Sequence, residues 1–376
     1  MLVKKVRNED SRVVFIIGAG ASIDISNELS TVNITNRILD GVEKEAILTD
    51  YVVPLVKKIY VHLNENRKEI PNFEDLYQYL LDMRTQYTED ITKHLPEYKL
   101  PAFDEIKEGE EVEIIDTTIW YVINTVFKTI FNNRPNKWNE KWRDTIFKKF
   151  KETFGHVDIF TLNYDDYLDG VLDNLNDGYV KVEQTIDNIG YYRFDPEKCL
   201  TISKTDTINH IHGSIHFSRI KPPDDYYSPL QKYDTPYDNV GELCSYESQN
   251  HTIFQYLPII SGKDKANVLM YSPFREYYAN LVKCIAISDC LVVIGYGFGD
   301  YHVNNLIFTF ETNRDHKIII ISPNKPGIPS KDNVFELPDC EDGTIVSNNV
   351  NVYWYNGTFK SASSSVEMII NSVFRR

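Results

Sequence analysis

At 376 residues, 42% hydrophobic and 25% charged, the chain has the balance of a folded protein of about two domains and not of a disordered one. Acidic residues outnumber basic ones 55 to 40, a formal charge of −15, which argues against duplex nucleic acid as the main partner. Five scattered cysteines (Cys199, Cys244, Cys284, Cys290, Cys340) form no C-x-x-C pair, so neither a zinc ribbon nor a disulfide framework is expected, and a reducing compartment is the simplest reading.

The first ordered signal is Arg12-Val13-Val14-Phe15-Ile16-Ile17, a β-branched and aromatic run that suits a strand buried on both faces. It is too short for a signal-peptide core, and no apolar stretch of about 18 residues exists to span a membrane, so a cytoplasmic protein is expected. Gly18-Ala19-Gly20-Ala21-Ser22 follows at once. Glycines there let backbone pass close to a phosphate. The third glycine of the dinucleotide fingerprint is missing, and no acidic residue at a second strand end follows about 20 residues later, so a dehydrogenase is poorly supported.

Residues 40–154 then read as helical, a module inserted after the first β–loop–α unit. Asn72 caps a helix whose face is Phe73, Leu76, Tyr77, Leu80 and Leu81. Ile115, Ile119, Val122, Val126 and Ile130 form a second face. Trp142, Ile146, Phe150 and Phe154 form a third, closed by Gly155. Residues 157–162 are the next buried strand, running into Thr161-Leu162-Asn163-Tyr164-Asp165-Asp166, where an α/β sheet places its ligands. Asn163 offers a donor and an acceptor and Asp165 an acceptor; an Asn/Asp turn capping a helix would use the same residues.

Asn209-His210-Ile211-His212-Gly213-Ser214-Ile215-His216 gathers three of the nine histidines. Two readings stay open: a metal pair of His210 and His212 on an extended segment, or one histidine presented at Gly213 as a general base. Histidines simply satisfied by hydrogen bonds are the bland alternative. Residues from about 217 to 262, rich in proline and tyrosine, are expected to be a long excursion with little regular structure. Ser272-Pro273 opens a helix that leads to a third buried strand at Cys290. The loop Gly295-Tyr296-Gly297-Phe298-Gly299-Asp300-Tyr301-His302 follows, with three alternate glycines. Residues 317–321 are a fourth buried strand, and the tail from Asn351 holds one strand-like and one helix-like segment. The fold class is therefore α/β, a Rossmann-like open parallel sheet with helices on both faces, built from residues 1–39 and 155–376 around the helical insertion.

The order GAGAS, TLNYD, IHGS, VIGYGFGD resembles the sirtuin-like family, in particular its bacterial defence-associated members. The resemblance covers residues 12–22, roughly 157–214 and roughly 272–324, and extends to the segment starting Asn72-Phe73-Glu74-Asp75-Leu76. It implies that Gly18, Ala19, Gly20 and Ser22 hold an NAD+ pyrophosphate and that Asn163 and Asp165 lie at the nicotinamide ribose. It further implies that the catalytic histidine is the one before Gly-Ser, here His212. The later glycine loop, Gly295, Tyr296 and Gly297, implies an adenosine-ribose contact, and Asn324 corresponds to an adenosine-contacting asparagine. His210, His216, Asp300 and His302 receive no role.

Two departures redirect the expected reaction. The paired C-x-x-C of a zinc module is missing, so no zinc is expected, and Ser22-Ile23-Asp24-Ile25-Ser26-Asn27 replaces the family's Pro-Asp-Phe-Arg segment. What the resemblance then implies is an NAD+ glycohydrolase that depletes its substrate in anti-phage defence. The alternatives are a non-catalytic NAD+ or ADP-ribose sensor, a metal-dependent nuclease or hydrolase on His210 and His212, and a protein deacylase, in that order. With no stretch left over for a separate sensor domain, control is expected from self-assembly as a homo-oligomer or from a second protein. The resemblance suggests a HerA-like hexameric ATPase.

Overall fold

The computed structural model describes residues 11–41, 51–66, 70–88, 103, 105–106, 109–134, 141–186, 189–201, 205–218, 230–234, 236, 245–248, 251–254, 271–311, 316–327, 337–348 and 351–374. The apolar run that opens the chain is β1 (Arg12–Ile17), and each of its residues from Val13 to Ile17 is fully buried. Burying such side chains stabilises by about 1.5–3 kcal/mol each, enough to fix this strand at the centre of a sheet. It pairs in parallel with β2 (His156–Thr161) on one side and β10 (Cys290–Ile294) on the other. β5 (Thr207–His210) extends the sheet beyond β2; β11 (Lys317–Ser322) and β13 (Val352–Asn356) extend it beyond β10. Only β12 (Ile345–Ser347), at the far edge, runs antiparallel. The sheet is thus seven-stranded, mostly parallel and Rossmann-like, as the sequence implies.

Alternate residues of the strands feed two separate cores. Val14, Ile16, Phe160, Leu291 and Val293 face the helices Phe274–Ile287 (α7) and Tyr301–Glu311 (α8). Val13, Phe15, Ile17, Val292 and Ile294 face Lys141–Phe154 (α5), Phe359–Ser364 (α9) and Val366–Phe374 (α10). Cover on both faces is why these strands read as continuous apolar runs and not as alternating ones.

A third core belongs to the helices Thr31–Asp40 (α1), Val52–Asn66 (α2), Phe73–Thr88 (α3) and Glu111–Asn132 (α4), and it touches the sheet's loops at Tyr164 and Ile215. The helix α5, grouped by sequence with this insertion, packs on the sheet instead: Phe147 and Phe150 sit against Phe15. Helical period identifies an apolar face without saying which core receives it.

A second sheet, antiparallel, orders as β3-β4-β7-β6, from Tyr179–Ile186, Ile189–Phe194, Gln231–Tyr233 and Phe217–Ser218, and β8 (Ser245–Ser248) pairs with β9 (His251–Phe254). Four of these strands lie in the stretch 217–262 expected to be irregular. They are two to four residues long, too short to show a period. Most of the rest of that stretch, with Pro222, Pro223, Pro229 and Cys244, lies outside the described residues.

One buried ion pair ties β1 to its neighbours. Arg12 Nη1 donates to Asp158 Oδ2 at 2.6 Å with side-chain exposures of 7% and 0%, and Asp158 Oδ1 accepts from Thr207 Oγ1 at 2.9 Å. Arg12→Met would leave Asp158 buried without its cation. Urea unfolding of that variant is expected to show a loss of about 3–5 kcal/mol, most of it regained in Arg12→Met/Asp158→Leu. A loss below about 1 kcal/mol would mean that the pair does not hold the strands.

Candidate functional site

The parallel strands end at one level. Ile17 is in register with Thr161 and with Ile294, Thr161 with His210, and Ile294 with Ile321. Each following residue adds one more rung: Gly18 N–H donates to Ile294 O, Leu162 N–H to Ile17 O, Ile211 N–H to Thr161 O and Gly295 N–H to Ile321 O. The four sequence motifs therefore start side by side at the carboxyl edge. The chain runs from β1 outward through β2 and β5, then crosses to β10 on the other side, making the β1/β10 boundary the switch point where α/β sheets open a crevice.

A cavity of about 830 Å³ opens there, within the range of roughly 300–1,000 Å³ usual for ligand pockets. Gly18, Ala19, Gly20, Ser22, Asn163, Asp165, His212, Gly295, Tyr296 and Gly297 all line it. Asn324 does not; it is exposed beyond the end of β11.

The glycines of the first and fourth loops serve two ends. A Cβ at Gly18 would stand 2.7 Å from Gly295 O, one at Gly20 2.8 Å from the same atom, and one at Gly295 2.3 Å from Ala21 N. Gly295 also adopts φ +60°, a left-handed conformation that costs other residues energy. The room at Gly18 and Gly20 that sequence reading gives to a phosphate is thus filled by the neighbouring loop, and their N–H groups are already donated to Ile294 O and Gly295 O. At Gly297 and Gly299 a Cβ would meet nothing within 4 Å. These two leave open space at the cavity wall for a ligand.

Asn163 has a fixed orientation. Its Nδ2 donates to Gly18 O at 3.1 Å and to Ser22 Oγ at 2.9 Å. Because a carbonyl only accepts, the amide cannot be reversed. Oδ1 is left buried with no hydrogen-bond partner. Ser22 Oγ in turn donates to Asp165 Oδ2 at 2.6 Å, and Asp165 Oδ1 accepts from Tyr167 N at 3.1 Å. Burial pushes the Asp165 carboxyl up from its ordinary range, opposed by those two hydrogen bonds.

The three clustered histidines diverge, each to its own carboxylate. His210 Nε2 meets Asp169 Oδ1, His212 Nε2 meets Asp300 Oδ2, and His216 Nε2 meets Asp166 Oδ2, all at 2.9 Å. His216 Nδ1 also donates to Tyr233 O at 2.8 Å, and Asp166 accepts from Arg134 as well. Against burial, which raises it, His216 and Arg134 hold the Asp166 carboxyl below its ordinary range. His210 and His212 therefore do not converge on one point, and among the described residues no group of three or more His, Cys, Asp or Glu could hold a metal ion. Of the three, only His212 lines the cavity.

Sequence reading also passed over part of the site. Asn72, Phe73, Glu74 and Asp75, the capped start of α3, line the cavity from the helical side. Tyr164 OH donates to Glu74 Oε1 at 3.0 Å. Burial, then Glu74, push that phenol well above its ordinary range, so it stays protonated. Asp300 and His302 complete the wall. The lining carries four carboxylates (Glu74, Asp75, Asp165, Asp300) and, among the described residues, no lysine or arginine.

Residues 157–337 match the SIR2-like domain family model. The SIR2-like segment takes in β2 and the second, third and fourth motifs, and leaves out β1, its glycine loop and α1–α4. Solved structures similar to the chain include a mutant Sir2 homologue with ADP-ribose, at 10% identity over 97% of this chain and 94% of that one, TM-score 0.46. A multiply substituted Sir2 homologue with 2′-O-acetyl ADP-ribose has the same identity and coverages at TM-score 0.45. A Sir2 homologue–NAD complex follows at 10% identity, covering 96% of this chain and 90% of that one, TM-score 0.41. No curated protein matches the chain. No helix among the described residues is long and apolar enough to cross a membrane.

The two kinds of glycine separate experimentally. Gly20→Ala is expected to lose about 1–3 kcal/mol by overpacking. Gly297→Ala should stay within about 0.5 kcal/mol of the parent, both measured by thermal unfolding. Equal losses would contradict the division.

Proposed function

We propose that the cavity binds NAD+ and hydrolyses its nicotinamide–ribose bond to nicotinamide and ADP-ribose. The observation that carries this reading is Asn163: both donors of its amide are taken, its carbonyl oxygen is buried and unbonded, and the residue lines the cavity, so an O–H donor bound there would satisfy it. Water or a ribose hydroxyl is such a donor. The order of the motifs and the SIR2-like match of residues 157–337 support a dinucleotide as the ligand.

The chemistry asked of the residues is modest. The bond from ribose C1′ to the pyridinium nitrogen breaks with its electron pair going to nicotinamide, which leaves as a neutral molecule. No general acid is required, unlike ordinary glycoside cleavage. Positive charge develops on the ribose, and a lining that carries Glu74, Asp75, Asp165 and Asp300 and, among the described residues, no lysine or arginine favours that charge where water is excluded. Asn163 orients the water or the ribose, and Asp165 holds the nicotinamide ribose. Water adds to C1′, and His212 takes its proton as general base and passes it to solvent. The pocket walls left open at Gly297 and Gly299 accommodate the rest of the dinucleotide. Depletion of NAD+ in anti-phage defence, self-assembly and a HerA-like ATPase partner rest on the motif resemblance.

Chromatography of NAD+ incubated with the purified chain tests this. Release of nicotinamide and ADP-ribose is expected, reduced about 100-fold or more in Asn163→Ala and in His212→Ala, and undiminished by EDTA. Gly297→Ala is expected to weaken NAD+ binding while folding normally. Bound NAD+ that is never cleaved would replace the reading by a sensor, and release only with an acylated peptide would replace it by deacylation.

A further inference from the structure

The loop after β10 reaches the reacting end of the cavity through Asp300. Its side chain is 5% exposed and its two oxygens do different things. Oδ1 accepts from His302 N at 2.9 Å and from Val303 N at 3.4 Å, capping α8. Oδ2 meets His212 Nε2 at 2.9 Å, across 88 positions of sequence.

The backbone that presents Asp300 is held from several sides. Tyr296 OH accepts from Asp300 N at 3.0 Å and donates to Asn304 Oδ1 at 2.8 Å, while Asn304 Nδ2 donates to Phe298 O at 2.8 Å. Phe298 has φ +57°, a left-handed conformation rare for a bulky residue and kept only where the surroundings enforce it. Helix capping alone needs none of this. It would be met by an aspartate facing solvent.

We propose that Asp300 is the positioning residue of His212: it fixes the imidazole with Nε2–H donated to the carboxylate, so that Nδ1 is the nitrogen that takes the proton. Two backbone N–H groups donated to Oδ1 favour the charged carboxylate, and a charged carboxylate can only accept, so the proposed tautomer carries its proton on Nε2. The inference rests on His212 being the base of the reaction proposed above, and it gives the fourth motif a part beyond contact with the adenosine side.

Several ionisable groups among the described residues surround the pair. Tyr164, Tyr278 and Tyr296 all have phenols raised by burial and by the Asp300 charge, so they stay neutral through the working range. Glu74, Asp75 and Asp165 line the same cavity, and His302 stands at its rim. Asp300 is the one of these that the structure places in hydrogen-bond contact with His212 Nε2. An opposite charge in contact favours the protonated imidazole, so its removal lowers the imidazole pKa by about one unit or more.

Asp300→Asn isolates that charge, because asparagine caps a helix as well as aspartate does. With unfolding unchanged, Asp300→Asn is expected to lower kcat for NAD+ cleavage about tenfold or more with KM little altered. The acid limb of its pH–rate profile should move down by about one pH unit, and Asp300→Glu should recover part of the rate. An unchanged profile and rate overturn the proposal. So does a fall in kcat with the acid limb unmoved, which would leave Asp300 only a capping role. If the parent protein cleaves no NAD+, the functional reading fails, and the pair is judged by NMR titration of the His212 imidazole in protein carrying labelled histidine. A pKa about one unit lower in Asp300→Asn sustains it, and an equal one overturns it.

Discussion

Everything at the candidate site depends on the approach of two loops at the carboxyl edge of the sheet. β1 and β10 end in register, and the chain beyond them passes so closely that a single methyl group at Gly18, Gly20 or Gly295 would strike backbone within 3 Å. That contact places Gly18 O and Ser22 Oγ where they take both donors of the Asn163 amide, and Ser22 then reaches Asp165. Orientation of the central asparagine is thus a consequence of glycine packing one strand away.

The surroundings of the site follow a common device. Three histidines in seven residues would interfere with one another if they shared a pocket. Instead each is paired with its own aspartate, Asp166 and Asp169 from the segment after β2 and Asp300 from the loop after β10, and of the three histidines only His212 lines the cavity. Lys232 joins the first pair by bonding Asp169 at 3.3 Å and Asp177 at 2.8 Å, which anchors β7 beside the sheet. The helices α1–α4 close the cavity from the other side by presenting the first turn of α3, and Tyr164 joins the two halves through Glu74 on that turn and Phe73 packed against its ring.

Much of this was legible in the sequence, and what was not has a physical cause. Continuous apolar runs marked β1, β2, β10 and β11 because strands covered on both faces have no polar alternation to hide them. Asn72, Gly155 and the spacing of Phe73 through Leu81 marked helix ends and faces. β5 escaped as a strand because four residues carry no period, and β3 and β4 because a small antiparallel sheet leaves a weak pattern. Gly18 and Gly20 were read as room for a phosphate, and the structure packs the Gly295 loop against them, since a sequence shows that space is needed and not what fills it. His212–Asp300 and Tyr164–Glu74 join residues 88 and 90 positions apart, and no local signal could pair them. Asn324, matched by its place after a strand, lies exposed and outside the cavity wall.

The central claim is that the unbonded oxygen of Asn163 and the imidazole of His212 face the same ribose. A crystal structure of His212→Ala with NAD+ tests it most directly. The account predicts a nicotinamide-ribose hydroxyl, or a water beside C1′, within about 3 Å of Asn163 Oδ1, with the vacated imidazole position next to C1′. NAD+ seated elsewhere, or seated in the cavity with Asn163 Oδ1 still unbonded, would contradict it.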